Sequence, residues 1–437
     1  MANEKFALPS GWRIKKLRDL GRIVTGKTPP TKINKYFGGQ VPFITPSDMD
    51  GRRVIADTQR YLSDEGVAAV SGARIPEGSV MVSCIGSDMG NVALAGRNAV
   101  TNQQINSIIV EENILNLFVY YNLSNRKAEF QNLASSGSAQ PILNKGHFSQ
   151  IYIVLPTLEE QHVIAHILGT LDDKIELNRR MNETLESIAH TIFKSWFVDF
   201  DPVRAKADGR QPAGMDAETA ALFPDSFEES EIGKIPQGWQ CQQLDNIADF
   251  RNGLALQKYP PEGDEYLPVI KIAELRKGVT GSSGKASINL NPDYIVDNGD
   301  VLFSWSGSLE VVLWYGGRGA LNQHLFKVTS DFFPKWFYYF WIDQHLPDFR
   351  RIASGKATTM GHIQRHHLSD ALVLVSPHNL LKRMTNIVAP LLDKVVAGNA
   401  ENSTLTAMRD TLLPKLISGE IRVKDAEKFV EELDEQP

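Results

Sequence analysis

The sequence has few of the residues that cross-link a chain or anchor it in a membrane. Cysteine occurs twice in 437 residues, at Cys84 and Cys241, so neither a disulfide framework nor a cysteine-rich zinc module is expected. No apolar run approaches the roughly 20 residues of a membrane span, and the first five residues lack the charged-then-apolar pattern of a signal peptide. These absences predict a soluble, cytoplasmic protein whose cysteines are plain core or half-buried thiols.

The charge is small and unevenly distributed. A formal net charge of −6 by itself argues against nucleic-acid binding. Residues 1–150 nevertheless carry 17 Lys and Arg against 12 Asp and Glu, and residues 233–376 carry 14 of each. Much of the excess acid lies in 201–232, with 3 basic against 8 acidic residues, and in 420–437, with 3 against 7. We interpret these two segments as a solvated linker and tail, so the first half can still bind DNA.

An internal repeat organises the chain, whose length predicts two or three domains. One half matches the other at an offset that falls from 227 to 220 residues. The matched segments keep their order: 9–12 with 236–239 (Pro-x-Gly-Trp), 41–44 with 267–270, 78–83 with 299–304, and 101–105 with 321–325. Trp12, Trp239, Leu17 and Leu244 are expected in the core. The chain is therefore a duplication.

Each repeat ends in a long helix. Thr157 and Glu160 have the spacing of a capping box after Pro156, and apolar residues then alternate three and four apart, as in a coiled coil. The matching stripe in the second repeat predicts that the two helices pack antiparallel. Asn182 and Asn402 fall in this seam, either as tolerated polar breaks or as amides that fix the register. The predicted seam residues are Leu168, Leu171, Ile175, Asn182, Leu185, Ile192, Val388, Leu391, Val395, Asn402, Leu405 and Leu412.

The predicted fold is α+β. Two mixed α/β domains are joined by two long helices that form an antiparallel coiled coil, with a pseudo-two-fold internal repeat. The predicted boundaries are a first domain at 1–156, a central helix at 157–200, an acidic linker at 201–232, a second domain at 233–376, a C-terminal helix at 377–419 and an acidic tail at 420–437.

Residues 21–28 match the spacing of a phosphate-binding P-loop. Pro29 and Pro30 follow, where a P-loop needs the start of a helix. The second repeat keeps the turn glycine as Gly253 and has no Lys or Thr after it. Nucleotide binding is therefore not predicted.

Three further motifs resemble catalytic ones. Residues 291–294 read Asn-Pro-Asp-Tyr, similar to an amino-methyltransferase motif, but no glycine loop for a methyl donor accompanies them. The Asp-Asp-Lys of 172–174 is placed mid-helix, without the Pro-Asp of a nuclease. His362 and His366 have no adjacent Glu or Cys, so loop histidines are favoured over metal ligands. We predict no catalytic residues, no metal and no cofactor.

The ordered set of segments resembles a known family. It comprises 233–239 (Gly-Lys-Ile-Pro-Gln-Gly-Trp), the Asn-Gln-Gln of 102–104, the Ser-Gly loops 136–141 and 354–359, and the Leu-Asp-Asp-Lys-Ile of 171–175 with its echo at 391–395. The chain resembles the specificity subunit of type I restriction–modification enzymes over nearly its whole length. The resemblance implies that each domain is a target-recognition domain reading half of a split, asymmetric DNA site. It also implies that the helices separate the halves and dock two modification (methyltransferase) subunits, through which restriction subunits could join.

Polar loops supply the donors and positive charges that duplex DNA requires. The candidate DNA-binding residues are Lys27, Thr28, Lys32, Ser138, Gln140 and Lys145 in the first domain, and Lys258, Lys356, Thr358, Thr359, Gln364 and Arg365 in the second. Asn102 and Asn322 recur in both domains. Because the two domains should read different bases, we assign these asparagines to a shared buried polar network rather than to adenine contacts.

Two other functions remain open. The helices could join partners in a protein-interaction scaffold that binds no DNA, which the neutral second domain would allow. A self-contained methyltransferase or nuclease is disfavoured by the missing motifs. A helix of about 1.5 Å per residue from Leu158 to Trp196 spans roughly 55 Å. This is enough to separate two domains by a DNA turn of about 34 Å, so helix length should set the spacer of a split target.

Overall fold

The computed structural model describes residues 8–86, 88–134, 142–355 and 361–422. The chain forms two units, Met1–Asp173 with Leu405–Pro437 and Lys174–Thr404. The N-terminal residues and most of the predicted tail lie outside the described residues. Within the described ranges, no helix combines the length and the apolar character that crossing a lipid bilayer requires.

The first unit contains eleven strands and four short helices among its described residues. The strands are β1 (Arg13–Lys16), β2 (Gly21–Thr25), β3 (Phe37–Ile44), β4 (Val54–Ile55), β5 (Tyr61–Leu62), β6 (Arg74–Ile75), β7 (Val80–Ser83), β8 (Val92–Ala95), β9 (Ala99–Thr101), β10 (Ile105–Val110) and β11 (Tyr152–Leu155); the helices are α1 (Asp64–Ala69), α2 (Asn116–Ser124), α3 (Lys127–Ala134) and α4 (Lys145–Gln150).

These strands form three sheets, with the orders β2-β10-β7-β8-β4, β5-β3-β9-β6 and β1-β11. The central strand β7 is buried at all four positions, which fits the apolar residues Val80, Met81 and Val82 before its buried Ser83. The helix α5 (Leu158–Phe197) follows β11. Thr157 and Glu160 exchange hydrogen bonds at its start: the amide of Glu160 donates to Thr157 Oγ1 (3.3 Å) and the amide of Thr157 to a Glu160 carboxylate oxygen (3.4 Å). The predicted capping box is thus present.

The second unit repeats this plan. Its strands are β12 (Phe227–Ser230), β13 (Gly233–Pro236), β14 (Gln240–Gln243), β15 (Asp249–Asn252), β16 (Leu267–Ile270), β17 (Lys285–Ala286), β18 (Ile295–Val296), β19 (Val301–Ser304), β20 (Val311–Leu313), β21 (Gly319–Leu321), β22 (Leu325–Thr329) and β23 (Leu372–Val375); its helices are α6 (Asp201–Ala207), α7 (Ala217–Leu222), α8 (Leu244–Ile247), α9 (Ile272–Lys277), α10 (Lys335–Ser354) and α11 (His366–Asp370), and α12 (His378–Ser418) follows β23.

The sheet orders confirm the internal repeat. The sheets β15-β22-β19-β20, β17-β16-β21-β18 and β14-β23 have the strand order of their counterparts in the first unit, which adds β4 to one of them. Both units also share a parallel pair at the same place, β3 with β9 and β16 with β21, and the first unit has a second parallel pair, β4 with β8. The fold predicted from the sequence is confirmed: two mixed α/β domains and two long helices.

Residues 201–232 differ from the solvated linker expected from their acidity. They form α6, α7 and β12, and β12 pairs antiparallel with β13. Val203 and Phe223 are 0% and 1% exposed and belong to the hydrophobic core of the second unit. A few large apolar side chains are enough to dock the segment, while its carboxylates remain at the surface.

Within each unit, α5 and α12 run antiparallel. In the first unit, Ile164 and Leu168 share a core with Leu412 and Leu416. All twelve predicted seam residues are buried or half-buried. In the second unit, Asn178 Nδ2 donates to Asn402 Oδ1 (3.1 Å) and to Glu401 Oε2 (2.7 Å), and Asn182 Nδ2 donates to Asn399 Oδ1 (2.9 Å). Each seam asparagine therefore contacts an amide of the opposite helix, and the two do not pair with each other.

Gly398 marks a close approach of the two helices in the second unit. A Cβ atom at this position would lie 2.5 Å from Asn182 Oδ1. We expect Gly398→Ala to lower the free energy of unfolding by about 1 kcal/mol, because crowding of the seam outweighs the better helix propensity of alanine. In an Asn182→Ala background the same change should stabilise by about 1 kcal/mol. Urea unfolding of the four chains of this cycle measures the difference; equal effects in both backgrounds would contradict the contact.

Candidate nucleic-acid interface

A glycine packed under an asparagine-containing turn organises one edge of each domain. In the first unit, Gly26 N donates to Ile105 O (3.0 Å) and Lys27 N to Thr101 O (2.8 Å). A Cβ atom at Gly26 would lie 2.0 Å from Asn102 O, so only glycine fits there. Asn102 is 7% exposed, and its Oδ1 accepts from the amide of Gln104 (3.0 Å). The asparagine therefore holds the turn and does not face outwards.

The second unit builds the same turn. Gly253 N donates to Leu325 O (3.0 Å) and Leu254 N to Leu321 O (3.0 Å). A Cβ atom at Gly253 would lie 2.3 Å from Asn322 O. Asn322 is also 7% exposed, and its Oδ1 accepts from the amide of His324 (3.3 Å). The asparagine kept in both repeats is thus a buried part of the turn, as its recurrence predicts.

Two more segments of each domain adjoin the turn. In the first unit, Cys84 N donates to Gln104 O (2.7 Å) and Leu143 N to Cys84 O (2.9 Å). In the second, Trp305 N donates to His324 O (3.4 Å) and Ile363 N to Trp305 O (3.0 Å). We call these four-segment surfaces the recognition edges. They comprise residues 26–28, 84–86, 102–104 and 142–145 in the first unit, and 253–255, 305–307, 322–324 and 361–365 in the second.

The predicted DNA-binding residues divide into three groups. Lys27, Thr28 and Lys145 lie on the first edge, and Gln364 and Arg365 on the second. Lys32 lies in the loop between β2 and β3, and Lys258 ends the 3₁₀ turn Leu256–Lys258. Ser138, Gln140, Lys356, Thr358 and Thr359 lie outside the described residues.

Side chains on the edges are exposed but partly held in place. Lys27 and Lys145 are exposed, whereas Thr28 is half-buried and its hydroxyl donates to Gln103 Oε1 (2.6 Å). Arg365 donates to the carbonyl oxygen of Phe250 (3.2 Å) and lies over the Phe326 ring at 5.9 Å. Such fixed donors are suited to base edges and phosphates, because they lose little conformational freedom on binding.

The second edge contains an aromatic and polar cluster that the sequence did not single out. The indole of Trp305 donates to Asn252 Oδ1 (3.1 Å), and its ring lies 5.9 Å from the ring of His324. His324 Nδ1 lies 3.0 Å from Ser306 Oγ. Trp305 is the first residue after β19, as Cys84 is after β7. The repeat alignment therefore marks the position, although it does not show that three strands bring these side chains together.

A polar network ties the first recognition domain to both long helices within the first unit. The hydroxyl of Tyr121 on α2 donates to Asp172 Oδ2 on α5 (2.7 Å), and Arg409 Nη1 on α12 donates to Asp172 Oδ1 (2.9 Å). Arg53 donates to Tyr121 Oη (3.2 Å) and pairs with Asp173. Burial and the Asp172 carboxylate raise the pKa of Tyr121 well above its ordinary value, so the hydroxyl keeps its proton. This network, called the Asp172 network below, positions the domain on its helices.

The motifs that resemble catalytic ones form ordinary structure. Residues 21–28 are strand β2 and an extended loop, followed by the 3₁₀ turn Asn34–Tyr36. Residues 291–294 are a turn in which Asn291 Oδ1 accepts from the amide of Asp293 (2.9 Å), directly before β18. Burial is the main cause that raises the pKa of both cysteine thiols to about 11, so neither offers a thiolate at neutral pH.

The duplicated domain on paired antiparallel helices defines a known architecture. The structure is similar to the crystal structure of a type I restriction–modification system S subunit from M. genitalium, with a TM-score of 0.59, 16% identity and coverage of 94% of this chain and 97% of that chain. At this identity the likeness shows the fold. It agrees with the internal repeat and the two long helices described above.

Sequence comparison gives the family. The family described as type I restriction modification DNA specificity domain matches residues 9–187 and 236–371, one match in each repeat, and this chain belongs to it. The chain is 27% identical over 436 residues to the type I restriction enzyme MjaIX specificity subunit of Methanocaldococcus jannaschii, covering 96% of this chain and 95% of that protein. It is also 27% identical over 390 residues to the HindI specificity subunit of Haemophilus influenzae, covering 77% and 83%.

Proposed function

We propose that this chain is the DNA-recognition subunit of a type I restriction–modification complex and performs no chemistry itself. Each recognition edge reads one half of a split, asymmetric DNA target in the cytoplasm. The long helices hold the halves apart and dock two modification subunits, which carry the methyl-transfer chemistry. Restriction subunits would join through that complex.

One observation carries the proposal: the two edges share a scaffold and differ in their outward side chains. Gly26 and Gly253 lie under equivalent asparagine turns, yet the exposed Lys27 of the first edge corresponds to Leu254 of the second, which packs against a core cluster. The exposed Asn144 and Lys145 of the first edge correspond to the exposed Gln364 and Arg365 of the second. A shared backbone with different donors is what reading two different half-sites requires. The lengths of α5 and α12, 40 and 41 residues, support a further step. Helices of roughly 60 Å are long enough to set a spacer of about one DNA turn.

Methylation mapping tests this function. The chain is co-expressed with its candidate modification subunit in a host free of adenine methylation, and the genome is sequenced for methylated bases. We expect one two-part motif with unequal halves and a fixed spacer. A motif with two identical halves would contradict the asymmetric reading. An unmodified genome, with the modification subunit shown to be active, would favour the scaffold that binds no DNA.

Residue exchange between the edges assigns each edge to its half-site. The first variant, Lys27→Leu with Thr28→Ala, imports the residues of the second edge; the matched variant, Gln364→Asn with Arg365→Lys, imports Asn144 and Lys145 of the first. Each should relax base preference in one half of the motif by roughly tenfold or more, since a base contact contributes about 1–3 kcal/mol. The other half should be unchanged. If one variant relaxed the base preference in both halves of the motif, the two edges would not read their half-sites independently.

A further inference from the structure

Five basic residues of the first repeat lie on β1, on the 3₁₀ turn after it and at the start of β2. Arg13, Arg18 and Arg22 are exposed, and Lys15 and Lys16 are half-buried. We call these five residues the basic ribbon. β1 pairs with β11 alone among the described strands, so its other edge is open. Because side chains alternate between the two faces of a strand, Arg13 and Lys15 lie on one face of β1 and Lys16 lies on the other.

The basic ribbon is continuous with the first recognition edge. Leu17 N donates to Ile151 O (2.9 Å) just beyond α4, and Lys16 Nζ donates to Gln150 Oε1 (2.7 Å) at the end of α4. The helix α4 begins at Lys145, which belongs to the recognition edge. Helix α4 thus connects Lys145 on the recognition edge with Lys16 at the end of β1.

Few carboxylates compensate these charges. Asp19 lies 3.6 Å from Arg18, and Glu111 lies near the ribbon, because its amide donates to Leu20 O (2.9 Å). Arg13, Lys15 and Arg22 have no salt-bridge partner in the part of the chain that the structure describes. Of the five basic residues, only Arg18 has a salt-bridge partner among the described residues.

The second repeat lacks this charge at equivalent positions. In the β1–β11 pair Arg13 lies opposite Leu155, and in the β14–β23 pair Gln240 lies opposite Val375. The two strand pairs therefore align residue by residue. The equivalents of the five basic residues are neutral or acidic: Gln240, Gln242, Gln243, Asp245 and Asp249. The same fold position is thus strongly positive in one repeat only.

We infer that the basic ribbon is a second DNA-binding surface, which contacts backbone phosphates beside the half-site read by the first domain and has no counterpart in the second domain. The inference rests on the proposed function. DNA fits better than a modification subunit, because two like subunits would need like surfaces on the two repeats. The ribbon therefore anchors one end of the target electrostatically, whereas base specificity stays with the edges.

The test measures how DNA binding by the assembled complex depends on salt. In the loss variant, Arg13→Gln, Lys15→Gln and Lys16→Gln import the glutamines of the second repeat, so folding should be kept; a thermal midpoint within about 3 °C checks this. Each lost phosphate contact lowers the slope of log Kd against log salt by about 0.9, so we expect a decrease of about 2 to 3. The methylated motif should be unchanged.

The mirror variant provides the matched control. Gln240→Arg, Gln242→Lys and Gln243→Lys place the same charges on the second repeat and should steepen the slope. In the native complex, ethylation interference should reveal phosphate contacts that flank the first half-site and none that flank the second. These contacts should be absent in the loss variant. An unchanged slope in the loss variant would overturn the inference and leave the proposed function intact. The same conclusion would follow if the loss variant bound the modification subunit more weakly while its phosphate contacts were unchanged. A native complex that binds no DNA would overturn both.

Discussion

Asp172→Ala is expected to lower the free energy of unfolding of the first unit by about 2 to 3 kcal/mol. The change leaves the guanidinium of Arg409 and the hydroxyl of Tyr121 without their shared acceptor, at a place where the Asp172 side chain is only 12% exposed. Arg409 keeps Asp410 as a partner and Tyr121 keeps Arg53, but both lose the buried carboxylate while remaining largely desolvated, which costs more than the loss of a surface pair. Urea unfolding of the full chain measures the loss.

The neighbouring carboxylate is the control for this prediction. Asp173 also pairs with Arg53, but its side chain is 69% exposed, so Asp173→Ala should cost less than about 1 kcal/mol. Equal losses for the two variants would show that burial of the Asp172 network does not matter.

The second repeat suggests how the network could be replaced. Leu392 and Ala189 occupy the positions equivalent to Asp172 and Arg409 at the offset of 220, and they are 4% and 0% exposed in one core cluster. Asp172→Leu combined with Arg409→Ala should therefore recover at least half of the stability lost in Asp172→Ala. A double variant no more stable than Asp172→Ala would contradict this equivalence.

Phe197→Ala should destabilise the second unit by about 4 kcal/mol, the largest effect we expect. Phe197 is 1% exposed, and its ring lies 5.2 Å from Phe193, 5.2 Å from Trp239 and 5.4 Å from Phe337. The substitution removes the aromatic centre that joins the end of α5 to the recognition domain. The midpoint of urea unfolding, followed by tryptophan fluorescence, reports the loss because Trp239 is in the cluster.

A surface position on the same helix is the control. Leu177 is 62% exposed, so Leu177→Ala should change the free energy of unfolding by less than about 0.5 kcal/mol. Phe197→Leu should recover part of the loss, since it leaves a smaller cavity. A loss below about 1 kcal/mol in Phe197→Ala would show that the cluster collapses around the missing ring.

Much of the fold follows from local pattern and repetition. The capping residues Thr157 and Glu160 predict a helix that starts at 157, one residue before the observed start of α5, because a cap depends on neighbours in sequence. The prediction that residues 201–232 form a solvated linker was wrong. Net charge counts the carboxylates of a segment but takes no account of the apolar side chains, Val203 and Phe223, that pack into the core. Seam periodicity placed Asn182 on the helix interface. It could not identify Asn399 as its partner, because the register between two helices is set by packing.

The candidate site was less accessible from sequence. The glycine turns could be located, since Gly26 and Gly253 recur at one offset. The contacts of Trp305 with Asn252 and His324 could not, because they depend on three strands that are distant in sequence. The basic ribbon emerges only when the β1–β11 and β14–β23 registers align the two repeats.

The buried glycine–asparagine turn also bears on how such a domain can evolve. The turn is held by backbone atoms and by an asparagine that faces inwards, so the neighbouring outward positions can mutate at little cost to stability. The change from Asn144 and Lys145 to Gln364 and Arg365 between the repeats, at exposed positions, is an example of such drift within one molecule. Under the proposed function, point mutations or exchange of whole domains would therefore change the methylated target while the fold stays the same.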